Sequence, residues 1–192
     1  MYAVPATFMT TGAKIYGRGN DNTFHGGSLG EYVEGDGGND TLYGNGGNDT
    51  LYGDTTSANP WPVNSNAAGD DVLYGGDGND HLYGQGGNDS LDGGADDDIL
   101  NGGAGTNQLY GGNGVDKFQI SDGADHSTIL DFTLDVDRIQ FDPNIASEYS
   151  ALTILDDVYG NAHITVGNVD IVLANIDAST LNASQFDFGL SA

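Results

Sequence analysis

Asp71, Asp80, Asp89 and Asp98 follow one another at nine-residue intervals, and each stands two residues before a leucine. Asp40, Asp49 and Asp116 have the same relation to Leu42, Leu51 and Phe118. A short, rigid carboxylate repeated in register is chemistry for a hard cation, which takes its ligands from carboxylate and carbonyl oxygen. The chain has no cysteine, and none of its four histidines falls in the series, so zinc and softer metals fit poorly. Of the 29 acids only Glu31, Glu34 and Glu148 are glutamate. Aspartate is the poorer helix former, so the acidity belongs to turns and not to helices.

Four bases against 29 acids leave a net charge of -25. That field argues against nucleic acid and anionic membranes as partners, and it opposes compaction unless cations neutralise it. No disulfide can hold the chain together. No segment approaches the roughly 18 apolar residues of a membrane span, so no membrane insertion is expected. The opening "MYAVPATFMTTGAK" lacks the basic start and long apolar stretch of a signal peptide. Export would therefore use another signal, or the chain is a piece of something larger.

Stepping in nines from Gly17, units begin at 17, 26, 35, 44 and 53 and then at 75, 84, 93, 102 and 111. With the leading glycine as position 1, position 8 reads Phe24, Val33, Leu42, Leu51, Leu73, Leu82, Leu91, Leu100, Leu109 and Phe118. With 37% hydrophobic residues, chance gives ten of ten apolar roughly once in twenty thousand, taking composition as background. The consensus is G-G-x-G-N-D-x-L-Y. Each x-L-x triplet makes a short strand with one inward side chain, and each six-residue loop turns the chain back. Two units make one turn, so alternate units stack as parallel strands. Two buried side chains a turn cannot offset the ordering of the loops, so the missing free energy must come from a bound ion. In the first unit the acid is Asp21, one place early, which reads as a one-residue slip around Asn22–Phe24. The fifth unit holds an insertion at Thr55–Ala67 with Trp61 between two prolines.

The division expected is a flank at 1–16 adding a first strand through "AKIYG", a repeat region at 17–119 with the insertion at about 55–67, and a capping region at 120–192. In the last, glycine nearly vanishes and strands are expected at 127–132, 137–141, 151–155, 162–166 and 169–174, with a helical turn at 178–186.

These repeats resemble the RTX (hemolysin-type) calcium-binding family, whose nonapeptide G-G-x-G-x-D-x-U-x is associated with a calcium-binding parallel β-helix. The resemblance implies an all-β fold, a parallel β-roll with a β-rich C-terminal cap, and about five to eight Ca²⁺ ions counted as one per pair of stacked loops. It also implies that each ion lies between loops eighteen residues apart. One loop gives the carbonyls of positions 2 and 4 and the acid of position 6; the other gives positions 1, 3 and 6. Carried onto this chain, Gly76, Gly78 and Asp80 face Gly93, Ala95 and Asp98. Asn45, Gly47 and Asp49 face Gly75, Asp77 and Asp80. Gly94, Asp96 and Asp98 face Gly111, Asn113 and Asp116. Ala68 (or Ala67), Gly69 and Asp71 face Gly84, Gly86 and Asp89. At the start, Gly17, Gly19 and Asp21 face Gly35, Gly37 and Asp40. Middle aspartates then bridge two ions. Three pairs depart from the pattern: Asp40–Asp71 spans the insertion, Asp89 faces Asn107, and Asp49 faces Glu31.

The C-terminal "STILDFTLDVDRIQFD" is similar to the tail that closes the roll in proteins exported by type I secretion. The resemblance thus implies a secreted, extracellular, non-catalytic module that folds on meeting calcium, with calcium and the type I secretion apparatus as partners. A second reading makes it the C-terminal part of a secreted polysaccharide-modifying enzyme, protease or lipase with an auxiliary substrate-binding role. A third makes it an adhesin module. The G-x-S-x-G match at Ser28 needs a helix after it, and "EYVEGDGG" cannot supply one. Position-9 tyrosines (Tyr43, Tyr52, Tyr74, Tyr83, Tyr110) are read as cross-strand shielding, with carbohydrate stacking as the alternative.

Overall fold

The computed structural model describes residues 14–17, 19–54, 68–121 and 125–189. The insertion with Trp61, the alternative ligand Ala67 and the first thirteen residues lie outside the described residues. The repeat region alternates short strands: β1 (Lys14–Tyr16), β2 (Thr23–His25), β3 (Tyr32–Glu34), β4 (Thr41–Gly46), β5 (Thr50–Tyr52), β6 (Val72–Asp77), β7 (His81–Tyr83), β8 (Ser90–Ala95), β9 (Ile99–Asn101), β10 (Gly105–Asn113) and β11 (Lys117–Ile120). They continue into β12 (Asp125–Ile129) and β13 (Arg138–Phe141), then β14 (Thr153–Asp156), β15 (Ala162–Val166), β16 (Val169–Leu173) and β17 (Phe186–Phe188). Odd strands β1 to β13 build one parallel sheet, closed by β17. Even strands β2 to β12 build the other, which ends on the antiparallel strands β16, β15 and β14. Among the described residues there is no α-helix, and the fold is a parallel β-roll.

Position 8 explains why the two sheets close on each other. Leu42, Leu73, Leu91 and Leu109 are in direct register on one sheet, and Val33, Leu51, Leu82, Leu100 and Phe118 on the other. All nine are at most 1% exposed, so the interior is a single row of side chains from each sheet. The row continues past the repeats through Ile129 and Ile139 to Leu173 and Phe186. Outward-facing position-9 rings stack from turn to turn, Tyr43 on Tyr74 at 4.9 Å and Tyr52 on Tyr83 at 4.7 Å. Four of the five position-9 tyrosines thus make cross-strand ring contacts, while Tyr110 lies opposite Asp92 and is exposed.

Register survives the insertion. β4 pairs with β6 as Leu42↔Leu73, although 31 residues separate them. It also corrects the expected slip in the first unit. Phe24 is opposite Leu42 with no offset, so Asn22 holds position 6 and Asp21 holds position 5. The "GGSLG" stretch lies between β2 and β3 and is followed by a strand, so no nucleophile elbow is built there.

The thin core carries a direct test. Leu82→Ala in calcium should destabilise the chain by about 2–5 kcal/mol, the usual cost of a buried leucine. Leu155→Ala, at a side chain 65% exposed, should leave the denaturant midpoint unchanged. Equal effects from the two would contradict the single-row core.

Candidate metal centre

The loops are bound to one another by side chains as well as by strands. At position 6, one carboxylate oxygen (Oδ1) accepts the backbone N–H of the position-6 residue one turn earlier. On one edge Asn22 donates to Asp40, Asp40 to Asp71, and Asp71 to Asp89, at 2.7–2.9 Å. The Asp89 N–H goes on to Asn107 at 3.0 Å. On the other edge Glu31 donates to Asp49, Asp49 to Asp80, Asp80 to Asp98 and Asp98 to Asp116, at 2.7–3.0 Å. The three departures from the pattern therefore keep the ladder hydrogen bond of the regular pairs, although Asn107 turns its Nδ2 over Gly102 where the aspartates turn Oδ2 over their glycines.

Position 5 runs a second, exposed ladder in the opposite direction. Asp21 accepts from Asn39 at 3.0 Å, Asn39 from Asp70 at 3.3 Å, Asp70 from Asn88 at 2.7 Å and Asn88 from Thr106 at 3.0 Å. This explains the N-D pair of the consensus. Asparagine is there to accept an amide across the turn, a role sequence reasoning left unassigned.

The other oxygen of position 6 is the chemically open one. Oδ2 of Asp40, Asp49, Asp71, Asp80, Asp89 and Asp98 is buried and has no hydrogen-bond partner. Each points over a position-1 glycine. A Cβ on Gly75 would lie 2.3 Å from Asp80 Oδ2 and 2.5 Å from the carbonyl oxygen of Gly93. Gly44 stands likewise to Asp49 Oδ2 and Gly75 O, Gly84 to Asp89 Oδ2 and Gly102 O, and Gly93 to Asp98 Oδ2 and Gly111 O. Position 1 must be glycine because a carboxylate oxygen of its own unit and a carbonyl of the next turn share that space. Isolated buried carboxylate oxygen is costly, and a cation is what such a space accommodates.

The structure brings the expected loops together in pairs. Asp80 meets Asp98, and Gly78 N–H donates to the Ala95 carbonyl at 3.1 Å. Asp49 meets Asp80, and Gly47 N–H donates to the Asp77 carbonyl at 2.8 Å. Gly94 and Ala95 lie opposite Gly112 and Asn113, beside the Asp98–Asp116 contact. Asp71 meets Asp89, with Ala68 and Gly69 against the Gly86–Gly87 backbone. At the first turn Gly17 faces Gly35, and Gly19 faces Gly37, but the ladder partner of Asp40 is Asn22, while Asp21 sits on the exposed position-5 ladder. The position-3 carbonyls of Asp77 and Ala95 each spend one lone pair on an amide and keep the other. Positions 2 and 4 hold the left-handed backbone, as at Gly76 (φ 118°) and Gly78 (φ 119°), and Asn45 and Asp96 adopt it without being glycine.

Among the described residues no three carboxylates or imidazoles gather into a cluster able to hold a metal by themselves. An ion between two loops must therefore draw on backbone carbonyls beside the aspartates. Calcium is the common ion that accepts such a set, six to eight oxygens in flexible geometry. Sequence reasoning missed three acids at the joints. Asp54, beside the insertion, accepts from Gly69 and Gly86. Asp131 accepts from Gly111 and Gly112 at 2.9 and 2.8 Å, and Asp137 from Asp116 and Thr133 at 3.0 and 2.7 Å. Asp131 and Asp137 lie beyond the nonapeptide frame, and Asp54 stands at position 2, where the consensus has glycine, so periodicity could not flag them.

Burial raises the position-6 carboxyls far above the usual carboxylate range: Asp71 and Asp98 to about 8, Asp40, Asp80 and Asp89 to about 7, Asp49 and Asp116 to about 6. Loss of water is the first cause in each. The accepted backbone N–H works against it, and neighbouring carboxylates, such as Asp80 and Asp116 beside Asp98, push further up.

An all-β parallel roll whose loops present unpartnered carboxylate oxygen beside backbone carbonyls belongs to the class of cation-binding repeat folds. The family model of the RTX calcium-binding nonapeptide repeat matches in four copies, over residues 25–55, 67–91, 83–118 and 92–126. Residues 25–55 and 67–126 thus carry RTX calcium-binding nonapeptide repeats. No curated protein matches the sequence. Among solved structures the chain is similar to the extracellular lipase LipA from Serratia marcescens, at 16% identity and a TM-score of 0.50, over 95% of this chain and 41% of the lipase. At that identity the likeness concerns the fold alone, and the chain spans well under half of the lipase. The AlgE6R3 subunit of the Azotobacter vinelandii mannuronan C5-epimerase matches at 20% identity and a TM-score of 0.30, over 97% of this chain and 84% of the subunit, too low a score to carry an argument.

The raised carboxyls fix the sign of a pH effect. Their folded values lie above the unfolded 3.8, so the folded chain without metal holds more protons and loses stability as pH rises from about 4 to about 8. In EGTA, acidification from pH 9 to pH 5 should raise β-sheet circular dichroism. In millimolar calcium the same acidification should release ions, because a bound carboxylate must be deprotonated. A metal-free signal that is flat over that range, or falls on acidification, contradicts the burial of these groups.

Proposed function

We propose that this chain is a secreted calcium switch. The roll over residues 17–119 binds about five to eight Ca²⁺, counted from the stacked loops and the ligand number of the ion, and folds when it does so. The carrying observation is the set of six buried position-6 aspartates whose Oδ2 atoms have no partner. Burying them without metal at neutral pH means taking up protons or holding uncompensated charge, and either opposes folding; with calcium between the loops they stay ionised and become ligands. In this reading the ions lie between the paired loops described above, with Asn22 in place of Asp21 at the first turn. Asp40, Asp49, Asp71, Asp80, Asp89 and Asp98 face other turns on both sides, so each touches two ions.

A chain that is unfolded at low calcium can pass through a type I secretion channel and fold outside, where an affinity of about 10⁻⁴–10⁻³ M suits the medium. RTX repeats and the fold-level likeness to an extracellular lipase support an extracellular setting. The repeats supply cation sites and not a reaction centre, so in a longer secreted protein they serve folding and export beside any catalytic part. Among the described residues no helix is long and apolar enough to cross a membrane. The stacking of Tyr43 on Tyr74 and of Tyr52 on Tyr83 favours cross-strand shielding over carbohydrate contact at those four rings.

Far-ultraviolet circular dichroism during a calcium titration tests the switch. The expected curve starts disordered in EGTA and rises steeply to a β-sheet spectrum; identical spectra with and without calcium contradict it. Asp80→Ala should weaken two sites at once, lowering the Hill slope and moving the midpoint to higher calcium. An unchanged curve for that variant overturns the assignment of Asp80 to two ions.

A further inference from the structure

The insertion should break the roll. Regular turns are tied by two backbone bonds at each loop. The position-4 N–H donates to the position-3 carbonyl of the next turn, as Gly47 to Asp77 at 2.8 Å, Gly78 to Ala95 at 3.1 Å and Gly87 to Ala104 at 3.0 Å. The position-3 N–H donates to the position-2 carbonyl of the turn before, as Gly46 to Gly27 at 3.2 Å and Ala104 to Gln85 at 2.7 Å. In the interrupted unit Gly69 is at position 4, and Gly86 is at position 3 of the loop that follows it by one turn. By the regular pattern Gly69 would donate to the Gly86 carbonyl, and Gly86 would donate to a position-2 carbonyl at the point where the chain departs.

Both amides go elsewhere, and to one side chain. Gly69 N–H donates to Asp54 Oδ1 at 3.1 Å and Gly86 N–H to Asp54 Oδ2 at 3.3 Å. Asp54 is the last described residue before the insertion, and it is buried. Its carboxylate thus supplies from a side chain two acceptors that the backbone supplies elsewhere. The loops it joins are those of Asp71 and Asp89, whose Oδ2 atoms are buried and unpartnered.

We infer that Asp54 is a positioning residue that restores the turn-to-turn ladder across the insertion and so sets the Asp71 and Asp89 loops at the distance a shared cation requires. This rests on the calcium reading of the roll. Its charge also acts on Asp40, Asp71 and Asp89, which adds to the demand for a cation at this joint.

The frame provides a control. Removing residues 55–67 joins Asp54 to Ala68 and yields "GDAGDDVLY", a regular nonapeptide in which backbone carbonyls can take both amides. Calcium titrations of the full chain should show Asp54→Ala shifting the midpoint about tenfold to higher calcium, the effect of losing charge-assisted hydrogen bonds of about 1.5 kcal/mol. Asp54→Asn should fall between, since its one carbonyl oxygen can serve only one of the two amides. In the chain lacking 55–67, Asp54→Ala should leave the midpoint within about twofold of its own parent. Equal shifts in both backgrounds, or none in the full chain, overturn the inference. Failure of the unsubstituted chain to bind calcium at all would instead overturn the calcium reading beneath it.

Discussion

Six position-6 aspartates, Asp40, Asp49, Asp71, Asp80, Asp89 and Asp98, have one oxygen held and one oxygen open, and the architecture depends on that division. The held oxygen takes a backbone amide of the preceding turn, which fixes the spacing between loops. The open one is buried against a glycine, where the carbonyl of the following turn also points. Neutral water-exposed aspartates would build neither feature. The roll is assembled around negative oxygen that it does not itself satisfy, so its stability is tied to the supply of positive charge.

Where the repeats end, the same side chain is used differently. Asp131 and Asp137 each give both oxygens to backbone amides, leaving nothing open. The cap then replaces loops by a wider apolar interior, with Ile139, Phe141, Ile164, Ile171 and Leu173 fully buried, and turns the sheet antiparallel at β14–β16. A parallel solenoid would otherwise offer an unpaired strand at its end. The cap rests on hydrophobic burial and the roll on charge, although the two share one continuous row of core residues.

Much of this was legible because position 8 is read on a period that the backbone keeps. Leucine at every ninth residue gave the inward row, and the aspartate two places before it gave the loop edge. The strands after the repeats follow from alternating apolar residues: β15 and β16 occupy 162–166 and 169–173, against expected runs at 162–166 and 169–174. Two things were not legible. Asp21 is the acid in the first unit and so reads as a displaced position 6; the strand register places the neutral amide Asn22 there instead. Asp54, Asp131 and Asp137 act at joints, where a side chain replaces a backbone acceptor that only the three-dimensional path reveals as missing.

The central claim is that a cation completes the open oxygens. The most direct measurement is an X-ray structure of crystals grown in millimolar calcium, with anomalous scattering to locate the ions. The account predicts anomalous peaks between loops one turn apart, each within bonding distance, about 2.3–2.6 Å, of Oδ2 of Asp49, Asp80 or Asp98 and of backbone carbonyls. Those oxygens bound only to water, with calcium absent or confined to the exposed position-5 side chains, would contradict it.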